Sequence, residues 1–277
     1  MRNLILLTLI LLLPVSAAFG DATVGDLHFS SNFQSLLDSS AQTRKPILID
    51  FYTDWCTWCK VLQDSTFPDG YVQKFLKNFE LGKINAEVDT NVAKRYGVRS
   101  YPTVLLLKSN GDEIDRVVGY EPPDDFVSSL VMSLSGVGTL DDLLGRLQAS
   151  PRDLELIQKV AEKYMYRSQY GMARDYFKEL VTGDKNNAAG LAAVGAYRLA
   201  YMKYKDKEYL EAADMYRYVA ENFPHSDQAV DSDLMNAYCL QKAEKFDAAK
   251  ESYQKFLEKY PDTDEREWIN KQLEKMK

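Results

Sequence analysis

The sequence predicts an α/β domain built on a mixed sheet with helices on both faces, followed by an all-α domain of helical repeats. Three observations carry this reading. Between residues 21 and 138, short apolar runs alternate with amphipathic stretches and turn signals. From Thr139 onward no strand pattern occurs, and 13 of the 18 tyrosines lie between residues 150 and 277. In that second half, alanines in matching aromatic surroundings (Ala173, Ala212, Ala249) recur at spacings of 39 and 37 residues. The expected organisation is a secretory segment over 1–20, an α/β domain over 21–138, a linker helix over 139–149, and repeats with a capping helix over 150–277.

The N-terminus "MRNLILLTLILLLPVSAAFG" places one basic residue, Arg2, before an apolar run from Leu4 to Leu13, then Pro14 and small residues. That is the layout of a signal peptide, with cleavage expected after Ala18 or Gly20. The apolar core is short for a bilayer span, though an uncleaved anchor is the alternative. No Cys follows the small residues, which speaks against lipid attachment. The expected location is outside the cytoplasm, in a bacterial periplasm. A net charge of −7 over 277 residues excludes the basic footprint of a nucleic-acid binder.

The α/β domain reads element by element. "HFSSNFQSLLDSSAQ" (28–42) predicts a helix with Ser caps and Phe33, Leu36 and Leu37 on one face. "KPILIDFYT" (45–53) is a near-continuous apolar run opened by Pro46, as a buried central strand requires. A helix follows from the cysteines to about Asp64, another over 71–79, a strand over 80–87, and a short helix over 91–98 ended by Gly97. "TVLLLKSNGDEIDRVVG" (103–119) predicts a hairpin turning at Asn110-Gly111, and 122–134 a helix with Asp124 and Asp125 in its first turn.

Within the second half, "YGMARDYFKEL" (170–180), "YLEAADMYRYVAENFP" (209–224) and "FDAAKESYQKFLEKYP" (246–261) align. Each follows a helix carrying a small residue, Ala161, Ala200 or Ala237, where two helices can approach closely. The pattern over residues 150–262 resembles tetratricopeptide repeats, whose usual period is about 34 residues. The period here is longer, and the first unit has "TGDKNNA" (182–188) where the others have Pro. An unrelated antiparallel helical bundle is the alternative. Residues 264–277 would cover the last repeat's apolar face. The resemblance implies a surface for a protein partner, with Tyr201, Tyr204 and Tyr238 either lining it or packed between helices.

The chemistry-bearing stretch is "DWCTWCK" (54–60). A structural zinc site needs four ligands, and beyond Cys56 and Cys59 the chain offers only Cys239, His28 and His225, none of them placed to join the pair. No metal or cofactor is therefore expected. A permanent staple across two residues removes little unfolded-state entropy and is a weak alternative. Thiol–disulfide exchange fits best. Cys56, directly after a strand, falls at a helix N-terminus, where free N–H groups stabilise the attacking thiolate and lower its pKa. Cys59, one turn deeper, suits resolution, and Trp55 and Trp58 would shield the sulfurs and present an apolar docking surface, with simple core packing as the alternative for either ring.

Two further residues support that reading. Asp50 interrupts an apolar strand, and a buried carboxylate in such a place usually marks function, here a proton relay to Cys59, with a carboxylate hydrogen-bonded for structure only as the alternative. Pro102, in "RSYPT" (99–103), opens a strand, and a cis Tyr101–Pro102 bond would form a tight turn. Cys239, in "NAYCLQKA", reads as a core residue, with a second redox role as the alternative.

Together, "ILIDFYTDWCTWCK" and "YGVRSYPTVLLLKSNGDEIDRVVGY" resemble a thioredoxin-fold redox domain over residues 30–135. The resemblance implies Cys56 as nucleophile, Cys59 as resolving thiol, Asp50 as buried acid and Pro102 as the cis-proline facing them. Tyr101 would pair by its backbone with an extended substrate. "STFPDGYVQKFL" (65–76) is similar to the branch holding the C-terminal domain of the reductant conductor DsbD, and Thr57-Trp58 departs from the Gly-Pro of thioredoxin. The implied function is exported disulfide reduction on protein thiols and disulfides, with a membrane reductant conductor as electron donor. The alternative is an interaction scaffold in which the α/β domain is structural.

Overall fold

A computed structural model describes residues 21–276, so the secretory segment read over residues 1–20 lies outside the described residues. Strand β1 (Ala22–Val24) turns at Gly25 and pairs antiparallel with β2 (Leu27–Phe29). Helix α1 (Phe33–Thr43) follows, then β3 (Ile47–Tyr52) and α2 (Thr57–Val61), which continues as a π-helical turn over Leu62–Thr66. Next come α3 (Gly70–Leu76), β4 (Glu80–Asn85), α4 (Thr90–Arg95), β5 (Thr103–Leu107), β6 (Glu113–Val118) and α5 (Pro123–Leu134).

The main sheet has the order β4-β3-β5-β6. β3 runs parallel to β4 and antiparallel to β5, which makes the sheet mixed as expected. Alternation along β3 feeds two cores. Leu48, with Val104 and Leu106, packs under Leu62, Phe67 and Phe126. Ile47, Ile49 and Phe51 pack on the opposite face with Leu36, Ala93 and Tyr96. Both faces are covered, which explains why β3 reads as a near-continuous apolar run, interrupted at Asp50.

The sequence reading began α1 too early. His28 and Phe29 belong to β2, where Leu27 and Phe29 are buried and His28 is exposed, a period of two. The helix is capped by Asn32, whose side chain accepts from the Ser35 N–H at 3.0 Å, not by a serine. The three-residue strands are too short to show a period in sequence.

Helices follow from α6 (Leu140–Ala149) through α7 (Leu154–Tyr166), α8 (Tyr170–Gly183), α9 (Leu191–Lys205), α10 (Tyr209–Asn222), α11 (Ala229–Lys242) and α12 (Phe246–Lys259) to α13 (Arg266–Lys275). The six alanines that marked the repeat (Ala161, Ala173, Ala200, Ala212, Ala237, Ala249) are all fully buried. Small side chains there let the paired helices close on one another. Gly195 serves the same end, since a Cβ there would lie 2.7 Å from the Phe177 carbonyl. Leu143 and Leu147 of α6 join the core of α7 and α8. Helix α13 covers α11 and α12, burying Ile269 against Ala237, Tyr253 and Phe256. Tyr201, Tyr204 and Tyr238 are half-buried and pack ring to ring, with Tyr204 touching both others and Tyr238 reaching Trp268. Cys239 is buried beside Ala200 and Tyr216, and burial pushes its thiol up to about 12.

The repeats do not hang from a free tether. At the end of α7, Lys163 binds Asp115 of β6 at 2.5 Å, and Arg167 reaches Glu113 at 2.9 Å and Asp115 at 3.3 Å. Arg116 donates from Nη1 to the Tyr166 carbonyl and from Nη2 to the Tyr96 carbonyl, each at 2.7 Å. The Ser168 hydroxyl donates to the Gly97 carbonyl at 2.7 Å. Gly97 adopts φ +62°, and a Cβ there would lie 2.3 Å from the Arg167 carbonyl. The glycine just after α4 is therefore also one of the points where the two halves touch.

Candidate redox site

Strand β3 ends at Tyr52, and the chain turns so that Cys56 becomes the N-cap of α2. Its Sγ accepts from the Cys59 N–H at 3.1 Å. That donor is one of the unpaired groups every helix start carries, and it favours negative charge on the sulfur. Cys56 and Cys59 are joined by a disulfide with Cα atoms 5.3 Å apart. Contrary to the expectation of a deeper Cys59, the two linked residues are equally covered, at 4% and 5% exposure.

The tryptophans take different roles from core packing. Trp55 is 67% exposed and Trp58 58% exposed, so both present rings to solvent beside the disulfide. Trp55 stands edge-on to Tyr101 with centroids 6.0 Å apart, and its Nε1 donates to Glu87 at 3.0 Å. Trp58 stacks on Tyr120 at 5.6 Å. The π-helical turn behind them is tied down where the Thr66 hydroxyl donates to the Glu121 carbonyl at 2.8 Å. Such turns recur at functional sites.

Asp50 is 1% exposed, in the strand that leads to Cys56. Alternation puts it on the Leu48 face of the sheet, the face covered by Leu62 immediately after α2. Its Oδ1 has no hydrogen-bond partner among the described residues. Burial raises its pKa from 3.8 to about 6, opposed by the nearby Lys83 ammonium. Lys83 sits opposite Asp50 in the β3–β4 ladder, donates to Gln63, and lies over the Tyr52 ring at 5.0 Å. Burial lowers its pKa, opposed by Asp50 and Asp64.

The Tyr101–Pro102 bond is cis, and Pro102 stands immediately before β5. The Trp55–Tyr101 contact places this loop beside the cysteine turn. Asp50, Cys56, Cys59, Trp55, Trp58, Tyr101 and Pro102 therefore converge on one end of the sheet. Lys83, Glu87 and Tyr120 belong there too and were missed. Lys83 did leave a signal, as a charge inside the apolar strand "ELGKINAE". Among the described residues no group of His, Cys, Asp and Glu is arranged to hold a metal ion.

A family model described as Thioredoxin matches residues 27–131. Over 118 residues the chain is 31% identical to Thioredoxin 1 of Synechococcus elongatus, covering 43% of this chain and 96% of that protein. The chain belongs to the thioredoxin family. Its Cys56–Cys59 pair is thus the dithiol of a thiol–disulfide oxidoreductase. A stretch of 106 residues is 29% identical to the thiol:disulfide interchange protein DsbD of Campylobacter jejuni, covering 37% of this chain and 18% of that one. Thioredoxin NaTrxh from Nicotiana alata, a solved structure, is 32% identical and covers 38% of this chain and 87% of its own, with a TM-score of 0.32. Residues 191–270 match a second family model, YfiO, described as Outer membrane lipoprotein, which falls on α9 to α13.

Proposed function

We propose that this thioredoxin-family protein is an exported disulfide reductase whose helical repeats dock a client or partner protein. The observation that carries the reading is the placement of Cys56 at a helix start, with buried Asp50 on the strand below and the cis Pro102 loop alongside. In the reduced protein, the Cys56 thiolate attacks one sulfur of a client disulfide, forming a mixed disulfide and expelling one client thiolate. Asp50 takes the Cys59 proton. The Cys59 thiolate then attacks Cys56 Sγ, closing the Cys56–Cys59 disulfide and releasing the second client thiol. Two electrons have passed to the client, and an external dithiol, supplied by a membrane reductant conductor, restores the pair.

The reducing direction is supported by the buried acid and by the similarity to a DsbD segment. The periplasmic location is supported by the N-terminal pattern and by the envelope family matched over residues 191–270. Among the described residues no helix is long and apolar enough to cross a membrane. Cys59→Ser should trap covalent client adducts on Cys56, and a reduction potential near −270 mV supports a reductase, whereas one near about −120 mV indicates an oxidase. The stacked helices of the second half also favour a second reading, an interaction or assembly scaffold. A Cys56→Ser, Cys59→Ser double variant that fully complements a deletion would establish the scaffold instead.

A further inference from the structure

The seam between the two halves encloses a cleft of about 700 Å³. One wall is the end of α4 and the loop leading to Pro102, and the other is the turn between α7 and α8. Tyr101 lines the cleft and touches Trp55, so one ring links the cavity to the cysteine turn. Its lining is basic, in a protein whose net charge is −7: five cations (Lys94, Arg95, Arg99, Arg116, Arg167) and one carboxylate, Glu113.

The seam's own ion pairs account for only part of that charge. Glu113 and Asp115 are taken up by Arg116, Arg167 and Lys163. Lys94, Arg95 and Arg99 are exposed and form no ion pair among the described residues. Arg99 lies over the Tyr170 ring at 5.4 Å, so its guanidinium leans from the Pro102 loop onto the first repeat. Arg95 lays its guanidinium over the Phe33 and Tyr96 rings, so Lys94 and Arg99 are the cations left to raise the local concentration of anions and steer them in.

We infer that this cleft binds an acidic segment of the client polypeptide, adjoining the disulfide presented to Cys56. The inference rests on the disulfide-exchange reading above. The helical half would then complete the substrate site, since Arg167, Ser168 and Gln169 form its far wall.

The test uses the reduced full-length protein and two peptides with the same disulfide, one flanked by Asp and Glu, the other by Asn and Gln. At low ionic strength the acidic peptide is expected to react with about tenfold higher kcat/KM, a preference that fades as salt is added. The Lys94→Gln, Arg99→Gln double variant is expected to lose the preference while its rate on the neutral peptide stays unchanged. Equal rates for the two peptides in the parent, or a preference that survives in the double variant, overturns the inference. Succinate that inhibits while the peptides react equally marks a small-dicarboxylate site and also overturns it. If neither peptide is reduced, the exchange reading has failed. Cysteine-free fluorescent versions then decide the inference by anisotropy, with tighter binding of the acidic peptide supporting it and equal binding overturning it.

Discussion

Asp50 and Lys83 face each other across two parallel strands, a carboxylate and an ammonium in a layer that is otherwise apolar. Each favours the charged form of the other, yet burial outweighs that attraction for both groups. Asp50 is thus poised to take up and release a proton at about pH 6, which a carboxylate in water would not do.

Replacing the acid has a signed consequence for stability. In the folded protein Asp50 titrates at about 6, against 3.8 for the free side chain. As pH rises through that window, the unfolded chain gives up its proton first, so the folded state loses stability up to about pH 6 and is level above it. The gap of about two units corresponds to about 3 kcal/mol. Asp50→Asn should therefore be more stable than the parent at pH 7.5, by up to that amount, and equal to it at pH 3. Urea midpoints at several pH values check this, and parallel pH profiles would contradict it. The resolving step should also lose its inflection near pH 6.

The seam gives a second prediction. Asp115 is buried and holds Lys163, Arg167 and the Ser133 hydroxyl. Asp115→Ala leaves Lys163 facing an empty position while Arg167 keeps Glu113, and breaking a buried pair in this way costs about 3–5 kcal/mol. Chemical denaturation should register that loss. A change below about 0.5 kcal/mol would mean that solvent replaces the carboxylate.

The repeat packing can be tested by overfilling. Ala200 sits fully buried between helices, whereas Glu221 of α10 is exposed. Ala200→Leu should destabilise by about 1–3 kcal/mol, and Glu221→Leu by no more than about 0.5 kcal/mol. Thermal melts of the two variants make the comparison, and indistinguishable melts would refute the close helix approach.

Trp58 offers a test of docking with little folding penalty, because its ring is largely exposed and stacks on Tyr120. Trp58→Ala should raise KM for a protein disulfide about fivefold, equivalent to about 1 kcal/mol. A small aromatic disulfide reagent should react at the parent rate. Equal losses on both substrates would place the effect in the chemistry instead.

Much of this architecture was legible because it depends on local pattern. The apolar run of β3, the Asn110-Gly111 turn and the alanine spacing each report a neighbour that must be close. Asp50 and Pro102 stood out because each breaks the rule of the strand it belongs to. The β1–β2 hairpin was invisible, since three residues cannot display a period. Glu87 and Tyr120 were missed because they act through Trp55 and Trp58 from other elements, and the sequence carries no mark of that encounter. The seam was hidden for the same reason: nothing in the sequence marks Asp115, Lys163 and Arg167 as partners before the fold brings β6 against α7.

Gly97 and Ser168 hold the loop after α4 to the first repeat, and that contact makes the molecule a ruler. With the halves fixed, the span from the repeat surface to Cys56 is constant. A client gripped by the repeats would offer its cysteines at set distances along its own chain. Reach, as well as local sequence, then decides which disulfide is opened.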